Sequence, residues 1–219
     1  MDRIQIRRDQ VVPLLDTKFV RVFDLQYREG KHYYDATRRK AGDLVALKDT
    51  DSFRQMTPDA VTCFVILEMK GEEPKMLLSR EYRYPTGQFL LSVPAGLIDP
   101  EDLGETEPAL VAARREIAEE TGLHVGDGDR LSLISPLVFS TPGMTDESNA
   151  LVSAVLHPDN LSGLTQAGAV GSELFDGFIL ATEADARRFL KDGRDERGIF
   201  YSLQTWAGLM WFLSGMWKE

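Results

Sequence analysis

The chain has 219 residues, 43% of them hydrophobic, which is enough to bury a full core in one large domain with a smaller appendage. Its net charge of -10 argues against nucleic acids and anionic membrane surfaces as partners, because binding either one needs clustered basic side chains. The single cysteine, Cys63, excludes an intrachain disulfide and lies in an apolar run, so we expect it to be a core residue. We find no signal-peptide core and no membrane-length apolar run, which makes a cytoplasmic location the expectation.

The N-terminal part of the chain is predicted to form a small antiparallel β subdomain, residues 1–57. Two strand-like runs, 20–27 and 32–38, flank a turn at residues 28–31. The residues around 56–59 have the composition of a boundary. The larger domain, residues 58–219, would follow.

The larger domain alternates predicted strands with helices, as in an α/β (α+β) fold. One helix is predicted to begin at Pro108 and end before Gly122, and another to begin after the N-cap residue Thr182. A terminal apolar helix over 204–216 is too short to span a membrane and lacks a basic face, so it should pack against the sheet or a partner subunit. The predicted strands are 61–69, 75–81, 90–93, 131–139, 150–156 and 175–180.

Three carboxylates lie on one side of the first of these helices. Because each helical residue advances by about 100°, Glu116, Glu119 and Glu120 project together, with Cβ atoms within roughly 6 Å. Charges so close repel one another unless protons or cations neutralise them, and carboxylate oxygens suit Mg²⁺ or Mn²⁺. Two interpretations follow: a divalent-metal site for phosphate chemistry, or a solvated acidic helix face.

The residues around the three glutamates favour the metal site. Arg115 is expected to pair with Glu107, Glu119 or both and so to hold the carboxylates in place. Upstream, residues 92–99 have the pattern of a strand end that runs into a tight turn, which can present backbone carbonyls to a cation.

This constellation resembles the signature of the Nudix hydrolases. That pattern is Gly, five residues, Glu, seven residues, Arg-Glu, an aliphatic residue, any residue, Glu-Glu, any residue, Gly and an aliphatic residue. The match is complete from Glu107 to Leu123. At the front, however, Gly96 precedes Glu107 by eleven positions where the pattern has six, and residues 100–104 look like a five-residue loop insertion.

Three further segments resemble the ADP-ribose pyrophosphatases of this superfamily: EYRYP at 81–85, VPAGLID at 93–99 and STPGMTDE at 140–147. The resemblance implies the Nudix fold, a mixed β-sheet sandwiched between helices, and an N-terminal β region that joins a homodimer. It also implies hydrolysis of a nucleoside diphosphate sugar, namely ADP-ribose to AMP and ribose 5-phosphate. A UDP-sugar or another nucleoside diphosphate derivative is the nearer alternative. A catalytically silent ADP-ribose sensor is the other, which the complete glutamate set disfavours.

The resemblance also implies roles for individual residues. Glu116 and Glu120 would be the primary metal ligands, with Glu119 beside them, the Ala95 carbonyl as a backbone ligand and Arg115 as the residue that holds them. The cofactor would be Mg²⁺, with Mn²⁺ as an alternative, at two or three ions per site.

Substrate contacts and the general base follow from the same resemblance. Arg83 would pair with a phosphate, and Glu81 would contact the nucleobase or the terminal sugar, together with the loop residues Gly143 and Met144. The base of such enzymes is a glutamate on a late loop. Glu173 is the first candidate and Glu147 the second, and either one has the alternative of being an exposed loop charge.

Overall fold

A computed structural model describes residues 4–168, 171 and 173–219. The chain forms two compact units. The first comprises Met1–Asp59 and Leu137–Asn149, and the second comprises Ala60–Pro136 and Ala150–Glu219. The division into domains of residues 1–57 and 58–219 remains a prediction.

The first unit is built on a three-stranded antiparallel sheet in the order β1-β2-β3. Its small core is formed by Phe23, Leu25 and Leu44. At the turn between β2 and β3, Gly30 takes a φ of 63°, which glycine adopts without strain. The separate antiparallel sheet expected near the N-terminus is therefore confirmed. The elements are β1 (Val11–Asp16), β2 (Arg21–Arg28), β3 (Lys31–Thr37) and a short helix α1 (Thr50–Arg54).

The second unit contains most of a seven-stranded sheet and three helices. Five strands follow the order β10-β5-β4-β9-β8, while β6 pairs with β5 and β7 pairs with β4. The strands are β4 (Ala60–Leu67), β5 (Lys75–Arg83), β6 (Gln88–Ser92), β7 (Ala95–Leu97), β8 (Arg130–Phe139), β9 (Ser148–Leu156) and β10 (Phe175–Ala181). The helices are α2 (Pro108–Thr121), α3 (Glu183–Asp192) and α4 (Leu203–Ser214).

The central strand β4 separates two hydrophobic cores. Because side chains alternate along a strand, Cys63 and Val65 face a core that includes Ile117 of α2. Phe64 and Ile66 face the opposite core, which contains side chains of α3 and α4. Every residue of β4 is buried, as expected for a strand covered on both faces. The predicted mixed sheet between helices is thus confirmed, and Cys63 is the expected core residue.

The helix boundaries follow the predicted signals. Helix α2 begins at Pro108 and ends at Thr121, and the next residue, Gly122, takes the left-handed conformation with a φ of 73°. At the start of α3, the hydroxyl of Thr182 accepts a hydrogen bond from the amide of Asp185 (3.2 Å) and completes a capping box.

The terminal helix α4 packs against the sheet, in agreement with the sequence. Leu209 and Phe212 are buried in the second core, and a β-carbon at Gly208 would collide with Met76 and Phe64. None of the helices in the described part of the chain has the length and apolarity needed to cross a membrane.

The segment before α2 differs from its prediction. Instead of turning directly after β6, the chain forms the short strand β7, in which Gly96 pairs with Val61 of β4. This pairing is a long-range contact that local sequence does not reveal. The inserted residues also have structure, because Asp102–Gly104 form one turn of 3-10 helix.

Candidate active site

The three glutamates of α2 lie next to β7. Glu116 and Glu120 are each only 6% exposed, while the Glu119 side chain is 40% exposed. The backbone amide of Ala95 donates a hydrogen bond to Oε1 of Glu120 (3.2 Å). Gly96 packs so closely that a β-carbon there would overlap the carboxylate of Glu116. The short strand β7 is therefore fitted to the acidic face of α2.

Arg115 links this acidic face to the segment before the helix. Its Nη1 donates to Oε1 of Glu116 (2.6 Å), and its Nη2 donates to the carbonyl of Leu97 (2.9 Å) and to Asp102 (3.1 Å). The expected pairing with Glu119 is present at 3.6 Å. Of the two alternatives left open for Arg115, Glu107 does not occur among its described ion pairs, and Glu107 is exposed at the N-cap of α2.

Burial and mutual repulsion raise the pKa of the inward-facing carboxyl groups. For Glu116, burial raises the pKa, Arg115 counteracts the shift, and the charges of Glu119 and Glu173 add to it. For Glu120, burial raises the pKa well above its usual range, and the charges of Glu81, Glu116 and Glu173 reinforce the shift. The site therefore gathers more negative charge than its own side chains neutralise.

Glu173 belongs to this group of carboxylates. Its charge raises the pKa of Glu81, Glu116 and Glu120, so it lies close enough to act on all three. The backbone explains this position, because Leu174 accepts a hydrogen bond from the amide of Tyr82 on β5 (2.8 Å). The structure thus places the first candidate base near the carboxylates of α2.

Gly168 fixes the approach of the same segment to α2. A β-carbon at Gly168 would overlap the backbone carbonyl of Glu119, so only glycine allows this contact. Residues 168 and 173 therefore both lie beside the glutamates.

On the neighbouring strand β5, Arg83 and Glu81 form an ion pair of 2.6 Å. The Glu81 side chain is 11% exposed and that of Arg83 is 46% exposed, so the guanidinium is accessible to solvent. Burial raises the pKa of Glu81, and Arg83 works against that shift. The charge of Glu81 acts on Glu120, so this ion pair lies near the glutamates of α2, and the substrate contacts expected of both residues remain a prediction.

The carboxylates do not form a ready-made metal cage. Within residues 4–168, 171 and 173–219, no three His, Cys, Asp or Glu side chains converge in a metal-ligand arrangement. Instead, one carboxylate oxygen of Glu116 accepts a hydrogen bond from Arg115, and one of Glu120 accepts a hydrogen bond from the amide of Ala95. The atom of Ala95 predicted to be a metal ligand is its carbonyl oxygen. The donor set nevertheless fits a hard divalent cation, because buried carboxylates with excess negative charge are the oxygen ligands that Mg²⁺ and Mn²⁺ select.

The other predicted residues, Gly143, Met144 and Glu147, belong to the first unit. The carbonyl of Gly143 accepts a hydrogen bond from the Tyr33 hydroxyl, and that of Met144 accepts one from the amide of Ala36, both at 2.9 Å. Glu147 pairs with Arg38 at 3.5 Å. These contacts anchor the loop of residues 140–147 to β3.

Sequence reasoning missed two acidic partners of Arg115. Asp99 lies 3.2 Å from its guanidinium and Asp102 lies 3.1 Å away. Asp102 belongs to residues 100–104, which the sequence marked as an insertion, and its position six residues after Gly96 was the signal available for it, whereas Asp99 ends the preceding segment 93–99.

Comparison with known proteins identifies the family of this chain. The NUDIX domain family matches residues 56–196. The chain is 33% identical over 112 residues to the ADP-ribose pyrophosphatase of Saccharomyces cerevisiae, covering 49% of this chain and 45% of that protein. It is 31% identical over 102 residues to the ADP-sugar pyrophosphatase of Mus musculus, covering 47% and 43%. A putative Nudix hydrolase 2 of Caenorhabditis elegans is 46% identical over 77 residues, covering 35% and 31%.

The matches therefore span less than half the length of these curated relatives. The fold is also found in a crystal structure of an ADP compounds hydrolase, with a TM-score of 0.52 and 19% identity over 94% of this chain and 90% of that one. Because the family match extends over well more than half of the chain and includes every strand and helix around the glutamates of α2, the chain belongs to the Nudix family.

Proposed function

We propose that the protein hydrolyses the pyrophosphate bond of a nucleoside diphosphate sugar, converting ADP-ribose to AMP and ribose 5-phosphate. The observation that carries this proposal is the cluster of Glu116, Glu119 and Glu120 with Glu173 beside it. The yeast and mouse relatives, whose names specify ADP-ribose and ADP-sugars, support this substrate class.

Dependence on divalent metal ions is typical of the Nudix family. In this chain Glu116, Glu119 and Glu120 would hold Mg²⁺ or Mn²⁺, with the Ala95 carbonyl as a further oxygen donor, at two or three ions per site. Bound ions would neutralise the phosphate oxygens and lower the pKa of water. The chain's own contribution is a cluster of buried carboxylates whose mutual repulsion a bound cation would reduce.

Glu173 is the proposed general base. It would accept a proton from the attacking water, whose oxygen bonds to one phosphorus while the bridging P–O bond breaks. Its support is its proximity to Glu116 and Glu120, which places a carboxylate beside the metal-binding face. Glu147 remains the alternative base, with the anchored position of its loop as support.

Arg83 is proposed to bind a phosphate group. Its guanidinium is half exposed and can form two parallel hydrogen bonds to phosphate oxygens. Its partner Glu81 would then face the nucleobase or the terminal sugar, and Gly143 and Met144 would supply backbone contacts from the anchored loop. These roles would place a dianionic substrate between one arginine and the bound cations.

The proposal includes a homodimer in the cytoplasm. The N-terminal sheet exposes large apolar side chains, among them Leu14 (55%), Leu15 (48%) and Tyr34 (58%), which a second subunit would cover. Light scattering should then give a mass twice the 24.6 kDa of the chain.

A substrate panel tests the activity. ADP-ribose, UDP-glucose, diadenosine polyphosphates, NADH and coenzyme A would be incubated with the protein in Mg²⁺ or in EDTA, and the products separated by chromatography. We expect AMP and ribose 5-phosphate from ADP-ribose in Mg²⁺ and none in EDTA.

Each other outcome would change the proposal in a defined way. A preference for UDP-glucose would retain the pyrophosphatase reaction and replace the substrate. If the protein bound ADP-ribose and turned over no compound, it would be a sensor and the hydrolase proposal would be wrong.

A further inference from the structure

Because five extra residues precede α2, two acidic residues, Asp102 and Glu107, could each occupy the first acidic position of the family pattern. Counted forward from Gly96, the family pattern places its first acidic residue at position 102, which is Asp102. Counted backward from Arg115, the same pattern places it at Glu107. The sequence alone aligns Glu107 with the motif, because only that choice preserves the spacing inside the helix.

The structure distinguishes the two residues by their contacts. Oδ2 of Asp102 accepts hydrogen bonds from Nη2 of Arg115 (3.1 Å) and from the amide of Asp99 (2.9 Å). Its side chain is 10% exposed. Glu107 is exposed and its side chain makes no capping hydrogen bond to α2. The bond to Asp99 closes the inserted turn and directs the carboxylate of Asp102 at the guanidinium.

We infer that Asp102, and not Glu107, is the acidic residue that positions Arg115 beside the catalytic carboxylates. This inference deepens the proposed hydrolase function and rests on it. Asp102 is a positioning residue, since it acts through Arg115 and has no described contact with Glu116 or Glu120.

The two terminal nitrogens of the Arg115 guanidinium bind different partners. Nη1 bonds to Glu116 at 2.6 Å, whereas Nη2 is held by Asp102 and by the carbonyl of Leu97. Asp99 also faces Nη2 at 3.2 Å, but its side chain is 53% exposed and water weakens its attraction. Asp102 is therefore the buried anion that keeps one side of the guanidinium away from Glu116.

Removing the charge of Asp102 should weaken cation binding for two reasons. Arg115 would be free to pair more fully with Glu116 and would compete with a cation for its oxygens. The group of carboxylates around Arg115 would also lose one negative charge. Both effects lower the affinity for a cation, whereas loss of the exposed charge of Glu107 produces neither effect.

The test compares Asp102→Asn with the matched variant Glu107→Gln, because each replaces one carboxylate by its amide. Binding of Mn²⁺ to the substrate-free protein would be measured from the electron paramagnetic resonance signal of free Mn²⁺. The Mg²⁺ concentration for half-maximal ADP-ribose hydrolysis would be measured separately.

Asp102→Asn should weaken Mn²⁺ binding and raise the required Mg²⁺ about 5- to 10-fold, with an unchanged KM at saturating Mg²⁺. Glu107→Gln should stay within about twofold of wild type, and Asp102→Glu should restore most of the Mn²⁺ affinity.

Equal losses in Asp102→Asn and Glu107→Gln, or a loss in Glu107→Gln alone, would overturn the inference. Wild-type Mn²⁺ affinity in Asp102→Asn would do so as well. If Asp102→Asn does not fold, the comparison passes to Asp102→Ser, which also lacks the carboxylate: a measurable Mn²⁺ deficit there with none in Glu107→Gln supports the inference, and the reverse contradicts it. Because Mn²⁺ binding needs no substrate, this contrast can persist even if ADP-ribose is not hydrolysed, in which case only the proposed function fails.

Discussion

At the scale of single residues, the candidate site concentrates buried negative charge at a cost to the stability of the folded chain. Glu120 is buried, and its described hydrogen bond comes from one backbone amide, while the charges of Glu81, Glu116 and Glu173 surround it. Burying carboxylates near one another costs free energy unless a proton or a cation compensates. A protein that gained nothing from this arrangement would be more stable without it, so we attribute it to cation binding.

The role of Glu173 as a base leads to a kinetic prediction. Glu173→Gln should reduce kcat by roughly 10²-fold or more and change KM little, because an amide cannot accept the proton of the attacking water. Steady-state kinetics with ADP-ribose would measure both constants. A comparable loss in Glu147→Gln together with normal turnover in Glu173→Gln would transfer the role to Glu147.

A second residue-scale prediction concerns Asp35 in the first unit. Burial and the nearby charge of Asp146 raise its pKa from 3.8 to about 6, with Arg39 acting against the shift. The folded state therefore binds a proton more tightly than the unfolded state. The resulting destabilisation is full above pH 6 and disappears as the pH falls towards 4.

Asp35→Asn should thus stabilise the protein at pH 7 by about 1–3 kcal/mol, and the advantage should vanish near pH 4. Asparagine retains an oxygen that can accept the hydrogen bond from the amide of Asp146. Urea unfolding at the two pH values would measure the difference. An advantage that is absent at pH 7, or equal at both pH values, would show that the Asp35 carboxyl is not perturbed in this way.

At the scale of elements, the sequence predicts what local patterns determine. Both ends of α2 were predicted, because Pro108 and Gly122 act on the backbone locally. The predicted strands of the second unit agree with the observed strands within about two residues, because their apolar runs are distinct. The short elements β7 and α1 were missed, as was strand β1 of the first unit. Three residues of β7 owe their strand conformation to β4, a partner distant in sequence.

The candidate site shows the same limit. The helical period alone brought Glu116, Glu119 and Glu120 together, whereas Glu173 was suggested by the resemblance to ADP-ribose pyrophosphatases, whose base is a glutamate on a late loop. The ion pairs of Arg115 with Asp99 and Asp102 depend on how the inserted turn folds back onto α2. Helical or strand periodicity in the sequence does not predict such a tertiary contact.

The packing of β7 on α2 is testable through Gly96. In Gly96→Ala the new methyl group would overlap the carboxylate of Glu116, which must then move away from its present position. We expect kcat to fall at least about 10-fold while the fold is retained, since the displaced group is the end of a flexible side chain. Turnover and circular dichroism would be measured together.

Gly104→Ala is the matched control, because a β-carbon at Gly104 meets no atom within 4 Å. It should keep wild-type turnover. Full activity in Gly96→Ala would show that the position of the Glu116 carboxylate beside β7 is not needed for the reaction.

At the scale of the whole molecule, family membership and activity rest on different support. The family match covers residues 56–196, which contain the glutamate helix and most of the sheet. The matched relatives share less than half of their length with this chain, so the proposed substrate and assembly are argued from the residues of this chain. The separate N-terminal sheet and its apolar surface are where we expect the subunits to meet.

The central claim is that the acidic face of α2 binds the cations that make pyrophosphate hydrolysis possible. Its most direct test is AMP release from ADP-ribose by wild type and by Glu120→Gln over a series of Mg²⁺ concentrations, with Glu105→Gln as the exposed control. We predict that Glu120→Gln loses activity by on the order of 10³-fold or more at ordinary Mg²⁺, while wild type and Glu105→Gln remain active and lose AMP release in EDTA. Wild-type turnover in Glu120→Gln at ordinary Mg²⁺ would contradict the account.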